Sequence, residues 1–114
     1  MPALLEQAVP ETFRALADPV RCAIVEHLGD HGVATVNELA SLFPISLQAV
    51  SKHIKVLEAA GVVSQRRDGR HRPVSLRPAG VATAIDWLDA RRRQLESRYE
   101  RLDEVLADLQ GAPP

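Results

Sequence analysis

The sequence predicts a mainly α fold with one β-hairpin and a long C-terminal helix. Three observations predict it. A capped amphipathic stretch over 46–60 follows a shorter one over 35–43, with Pro44 between them. Asp68-Gly69, a favoured hairpin turn pair, separates two short runs, 62–67 and 70–76. Val81, Leu88, Leu95, Leu102 and Leu109 recur every seven residues.

The elements follow in order. Residues 3–9 suit a short helix stopped by Pro10, and Thr12 to Ala17 suit a further turn or two. Asp18-Pro19 is a helix start, because Asp accepts from free backbone N–H groups and Pro fits the first helical position. That helix is expected to run to Leu28, with Val20, Ala23, Ile24, His27 and Leu28 on one face, and to break at Gly29 to Gly32. Thr35-Val36-Asn37-Glu38 fits a capping box opening a short helix that Pro44 ends, with Leu39, Ala40 and Phe43 inward. Ser46 caps the next helix, and Gly61 is its expected left-handed stop. Two helices joined by a short turn give a helix-turn-helix.

With Asp68-Gly69 as the turn, Arg67 faces Arg70, Gln65 faces Arg72 and Val63 faces Val74. Apolar residues then meet at the hairpin base and basic ones at its tip. From Ala79 to Gln110 one helix is expected, with Ile85, Tyr99 and Leu106 filling the second seam position and Arg92 interrupting it. Residues 111–114 are expected to fray.

Charge is unevenly distributed. Residues 46–77 hold seven Lys/Arg (Lys52, Lys55, Arg66, Arg67, Arg70, Arg72, Arg77) against Glu58 and Asp68, a local balance of +5. Residues 1–45 carry −4 and residues 78–114 carry −2, so the net charge of −1 hides a polarised molecule. A focused basic stripe in an acidic chain is the electrostatic footprint of a nucleic-acid face. Four aromatic residues of Phe, Tyr and Trp type are too few for single-strand stacking platforms. The single cysteine, Cys22, excludes a disulfide framework and a four-cysteine zinc site. A basic segment followed by an apolar one is missing from the start, and no apolar run approaches the ~20 residues of a membrane span. A cytoplasmic protein without membrane association is expected.

On a helical wheel of 47–60, Leu47, Val50, Ile54 and Leu57 make one apolar stripe, and Gln48, Lys52 and Lys55 lie opposite, with Ser51 at the border. A recognition helix needs this division between a face fixed to the core and one offered to the major groove. Gln48 suits a bidentate contact to adenine, Ser51 several bases, Lys52 guanine or phosphate, and Lys55 phosphate. The Ser46 cap sits where helix N–H groups approach a phosphate. Arg66, Arg67, Arg70 and Arg72 crowd one tight loop, where mutual repulsion is relieved by a polyanion.

The segments FRALADPVRCAIVEHL, TVNELASLFPISLQAVSKHIKVLEAAGVV and RRDGRHRPVSL, within residues 13–76, carry a resemblance. The chain resembles the ArsR-type (arsenic-repressor-like) winged helix-turn-helix repressors. The resemblance implies a homodimer acting at a double-stranded operator with two half-sites. It also implies that Gln48, Ser51 and His53 lie at or near DNA, since Ser46 to His53 matches the family's recognition pattern. The expected layout is a single domain over 1–114, with a DNA-binding core at 11–77 and a dimerisation helix at 79–110, to which residues 3–9 add. Leu88, Leu95, Tyr99, Leu102, Leu106 and Leu109 are the expected interface.

Many family members sense metals. The resemblance implies either a Cys-x-Cys pair on the helix before the turn or Asp and His pairs along the last helix; here that first helix has no cysteine and no histidine follows His71, so neither set is supported, and no metal or cofactor is expected. His27 and His31 are four apart, but a helix ending at Gly29 would separate them. His53 and His71 are assigned to the DNA surface. Cys22 beside Arg21 is a candidate redox thiol, weighed against a structural role. The sequence names no small-molecule inducer. Alternatives left open are a ligand- or thiol-gated repressor, a binder without sequence preference, and a winged-helix protein-interaction module. An enzyme is not expected, for want of a nucleophile–base pair, a phosphate loop or a metal cluster.

Overall fold

The computed structural model describes residues 3–111, with side chains from residue 8 onward. The elements are α1 (Ala3–Leu16), α2 (Pro19–His31), β1 (Val33–Thr35), α3 (Val36–Ala40), α4 (Leu47–Ala59), β2 (Val63–Gln65), β3 (Pro73–Leu76) and α5 (Pro78–Gly111). The described residues divide into two compact units, one up to Ala84 and a second from Ile85, the division falling inside α5.

The core of the first unit is built where the apolar periodicity of α2 and α4 meets the sheet. Ile24, Leu28, Leu39, Val50, Ile54, Leu57, Val62, Val63 and Val74 are all fully buried. The caps form as their residue types require. Asp18 accepts from the backbone N–H groups of Val20 at 2.9 Å and Arg21 at 3.1 Å. Thr35 accepts from Glu38 and Ser46 from Ala49, each at 3.1 Å. At the other end of α4, Gly61 N–H donates to Glu58 and Val62 N–H to Leu57, each at 3.0 Å. With Gly61 at φ 78°, this is a Schellman ending, and its hydrophobic contact is supplied by buried Leu57 and Val62.

Several boundaries differ from expectation. Helix α1 continues through Pro10 instead of stopping there. Burial of Val9, Thr12 and Ala15 on one face carries it across the missing N–H, and the Thr12 hydroxyl donates back to Ala8 O at 2.9 Å. Helix α2 continues through Gly29 to His31, and Gly32 (φ 85°) is the actual stop, its N–H donating to Leu28 O. His27 and His31 therefore share one helix, with rings stacked at 4.1 Å. Helix α3 ends at Ala40, before Pro44, and i→i−3 turns at Leu42 and Phe43 lead out of it. Helix α5 includes Gly111; the fraying expected of 112–114 concerns residues outside those described, as does the interface role of side chains 3–7.

The sheet is three-stranded in the order β1-β3-β2, so the hairpin gains a third strand from a stretch whose sequence carries no strand signal. β1 pairs with β3 antiparallel through Ala34↔Val74, and both side chains are buried. The hairpin register is Val63↔Leu76, Ser64↔Ser75 and Gln65↔Val74, with Asp68 bridged to His71. This is two residues away from the expected pairing, and the central turn residues are Gly69-Arg70 rather than Asp68-Gly69. Only Gly69 has positive φ, at 61°. An Asp-Gly turn of the expected type needs two left-handed residues; placing Gly first needs one. A shift of two leaves every side chain on its original face, so the apolar base survives as Val63 opposite Leu76.

The start of α5 belongs to the first unit. Ala84 is buried and Val81 packs on the core, whereas Ile85 and Leu88 are 56% and 50% exposed. The inward face thus runs through positions 81 and 84. Gly80 lies against the turn after α4: a Cβ there would overlap the carbonyl oxygen of Gly61. Gly80→Ala is expected to lower the urea midpoint despite alanine's higher helix propensity.

Candidate nucleic-acid interface

The outward face of α4 is set by its inward one. Val50, Ile54 and Leu57 fill the core, which leaves Gln48, Lys52 and Lys55 exposed and Ser51 half-buried. Leu47 departs from the wheel: it is 45% exposed, not part of the buried stripe. As the first residue of α4 it lies a turn beyond Val50, where the core ends. Ser46, Leu47 and Gln48 therefore stand together at the N-terminal end of the helix.

The hairpin loop approaches this end. Leu47 and Ser51 line a hollow of about 300 Å³ with Arg70, His71, Arg72 and the α3 start, Thr35 to Asn37. The Val36 N–H donates to Arg72 O at 3.3 Å, which ties the descending wing strand to α3. On the other side of Arg72, a second hollow is lined by Lys55, Glu58, Gln65, Arg67 and Arg72. Arg66 is anchored by its N–H to Pro73 O at 3.0 Å, with its side chain exposed. The structure thus gathers Ser51, Lys55, Arg67, Arg70, His71 and Arg72 around the wing. Gln48 and Lys52 stand on the open face of α4, outside both hollows. Sequence reasoning does not find Asn37 and Leu47 as site residues, since one looks like part of a cap and the other like core.

Electrostatics separate this surface from the rest. Among the described residues, no carboxylate is ion-paired with Lys52, Lys55, Arg66, Arg67, Arg70, Arg72 or Arg77. Arg92 and Arg93, by contrast, are paired with Asp89 on α5, and Arg92 also approaches Glu96. Unneutralised cations crowded on one loop raise the energy of the free protein and favour a polyanionic ligand.

His53 has a different setting from the other site candidates. Its Nδ1 lies 3.2 Å from Arg21 Nη1 and 3.9 Å from Asp18 Oδ2. A guanidinium has only donors, so Nδ1 is the acceptor and the neutral ring carries its proton on Nε2. Arg21 also donates to Ala15 O at 2.6 Å and to Arg14 O at 3.4 Å. Asp18, Arg21 and His53 therefore link the end of α1, the start of α2 and the middle of α4. Backbone N–H donors, that of Arg21 foremost, hold the Asp18 carboxyl below the ordinary carboxylate range, against an opposing desolvation.

Cys22 is exposed, and its thiol donates to Leu16 O at 2.8 Å. His31 Nδ1 lies 3.0 Å from His27 O. Among the described residues, no group of three His, Cys, Asp or Glu is placed to hold a metal. No helix among them is long and apolar enough to cross a membrane. In the second unit, Leu88, Leu95, Tyr99, Leu102, Leu106 and Leu109 are each 42–77% exposed and share the predicted seam of α5.

Known proteins match this architecture. Residues 16–66 fit a family model described as a helix-turn-helix domain. The chain is 47% identical over 77 residues to the HTH-type transcriptional regulator Rv2034 of Mycobacterium tuberculosis, covering 68% of this chain and 71% of that protein. It is 33% identical to the transcriptional repressor SdpR of Bacillus subtilis, covering 67% and 83%. Among solved structures, the ArsR family transcriptional regulator RHA00566 superposes with a TM-score of 0.74 at 34% identity, covering 81% and 94%. The homodimeric winged helix-turn-helix DNA-binding domain of Mb0332 from Mycobacterium bovis gives 0.63 at 27%, covering 77% and 82%.

Asp18 generates a pH prediction. Because its folded pKa is depressed, its contribution to stability is present above the unfolded value of ~3.9 and is lost as pH falls through the folded one. An asparagine in its place keeps an N-cap acceptor but has no charge to lose. Asp18→Asn should therefore show a smaller drop in urea midpoint than wild type on acidification from neutral pH to below ~3.9. Equal drops would show that this carboxylate does not contribute.

Proposed function

Since the chain belongs to the ArsR family of helix-turn-helix transcriptional regulators, we propose that it is a sequence-specific repressor. It acts as a homodimer at a double-stranded operator with two half-sites, in the cytoplasm. One observation carries the reading: the N-terminal end of α4, through Leu47 and Ser51, meets Arg70, His71 and Arg72 of the wing around one hollow, and the wing's arginines have no carboxylate partner among the described residues. The helix offers groups to the major groove, and the wing supplies positive charge for the backbone beside it.

The residues divide by role. Gln48 and Ser51 read base edges from the N-terminal half of α4. Lys52, Lys55 and the Ser46 helix start hold phosphates. Arg66, Arg67, Arg70, His71 and Arg72 grip flanking backbone or the minor groove. His53, oriented by Arg21, presents its Nε2–H as a donor near the same backbone.

Dimerisation follows from α5. A helix of 34 residues is about 50 Å long. Its apolar seam from Leu88 to Leu109 is 42–77% exposed among the described residues. A second copy covers that seam, as the homodimeric relative supports. Half-sites are then expected about one turn (~34–36 Å) apart, and repression follows from occupancy.

Gln48→Ala should relax sequence choice by a factor corresponding to ~1–3 kcal/mol while binding to random duplexes barely changes. Equal losses on both would remove Gln48 from base reading. Arg70→Ala should weaken binding to every sequence and reduce the slope of log affinity against log salt by roughly one contact. An unchanged slope would favour a protein-binding module instead. Leu102→Arg should yield monomers in sedimentation and lose operator binding with the first unit still folded.

A further inference from the structure

Leu47 is an apolar side chain that the core does not use. The other members of its stripe, Val50, Ile54 and Leu57, are fully buried, whereas Leu47 is 45% exposed. It is also the first residue of the reading helix, between the capping Ser46 and the exposed Gln48. It lines the hollow with Ser51 of its own helix, Thr35, Val36 and Asn37 at the start of α3, and Arg70, His71 and Arg72 of the wing, a mostly polar and cationic setting in which an exposed leucine gains little in the free protein.

Duplex DNA offers one apolar group on its base edges in the major groove, the C5 methyl of thymine. The N-terminal residues of a recognition helix are those that reach base edges. We infer that Leu47 is a specificity residue that buries a thymine methyl, next to the adenine read by Gln48. The two contacts are complementary, because adenine's N6/N7 edge asks for an amide and the thymine edge for an apolar surface. The half-site should then contain an A·T-type step under the start of α4. This inference rests on the sequence-specific reading proposed above, and it adds a base identity to it.

The test enriches bound sequences from a random duplex library with the full-length protein, then replaces each enriched thymine in turn by deoxyuridine. That exchange removes the methyl and keeps every hydrogen-bonding group. For wild type, one thymine per half-site should show binding weakened about fourfold, the factor expected for one buried methyl. Leu47→Ala should bind thymine and deoxyuridine equally at that position, and Leu47→Met should restore the difference. The side chain is half exposed, so melting curves of the variants should match wild type. Methyl dependence at no position, or the same dependence in Leu47→Ala, overturns the role of Leu47 while leaving sequence-specific binding intact. If wild type enriches no sequence at all, the sequence-specific reading falls and this inference falls with it.

Discussion

Burial of one stripe of α4 is the constraint on which the proposed DNA-reading surface depends. Val50, Ile54 and Leu57 are locked among Ile24, Leu28, Leu39 and Val74. Their burial fixes the rotation of the helix about its axis. Rotation fixes which side chains face outward, and so which can enter a groove. The Schellman ending at Gly61 and the Ser46 cap fix its two ends, and the Asp18–Arg21–His53 bridge adds a polar tie from α2. A helix that carried the same residues but could turn or slide could not serve the proposed base contacts, which tolerate little misplacement.

The wing depends on the same core through the sheet. Val63 and Val74 are buried on the side that packs with α4, so the hairpin must leave the core in a fixed direction. The loop beyond them is freed from packing and is almost wholly charged. Its cations have no carboxylate partners among the described residues, whereas those at Arg92 and Arg93 do. The contrast separates arginines paired along a helix from the wing arginines that we propose hold DNA.

Much of this was legible in the sequence because local chemistry decided it. Caps at Asp18, Thr35 and Ser46, the stop at Gly61, and the charge block over 46–77 are short-range features. Each needs only its own side chain and the nearby backbone. The misreadings have a common origin. Pro10 and Gly29 are helix breakers by propensity, yet α1 and α2 run through them because buried faces outweigh a local cost of ~1–3 kcal/mol. β1 was invisible because a three-residue strand has no periodicity to detect and exists only through its pairing with β3.

The sequence by itself determined the fold class, the polarity of α4, the arginine wing and the leucine seam of α5. Composition and periodicity suffice for these, since they record which residues must avoid water and which must not. Tertiary structure alone decided the hairpin register and the placement of Leu47. A two-residue shift keeps every face, so hydrophobic pattern cannot distinguish the registers; they differ in whether Asp68 must be left-handed, and in the observed one only Gly69 is. For Leu47, the wheel records direction but not depth. Whether a residue on the apolar stripe is core or surface depends on where its neighbours stop, and the core stops one turn short of it.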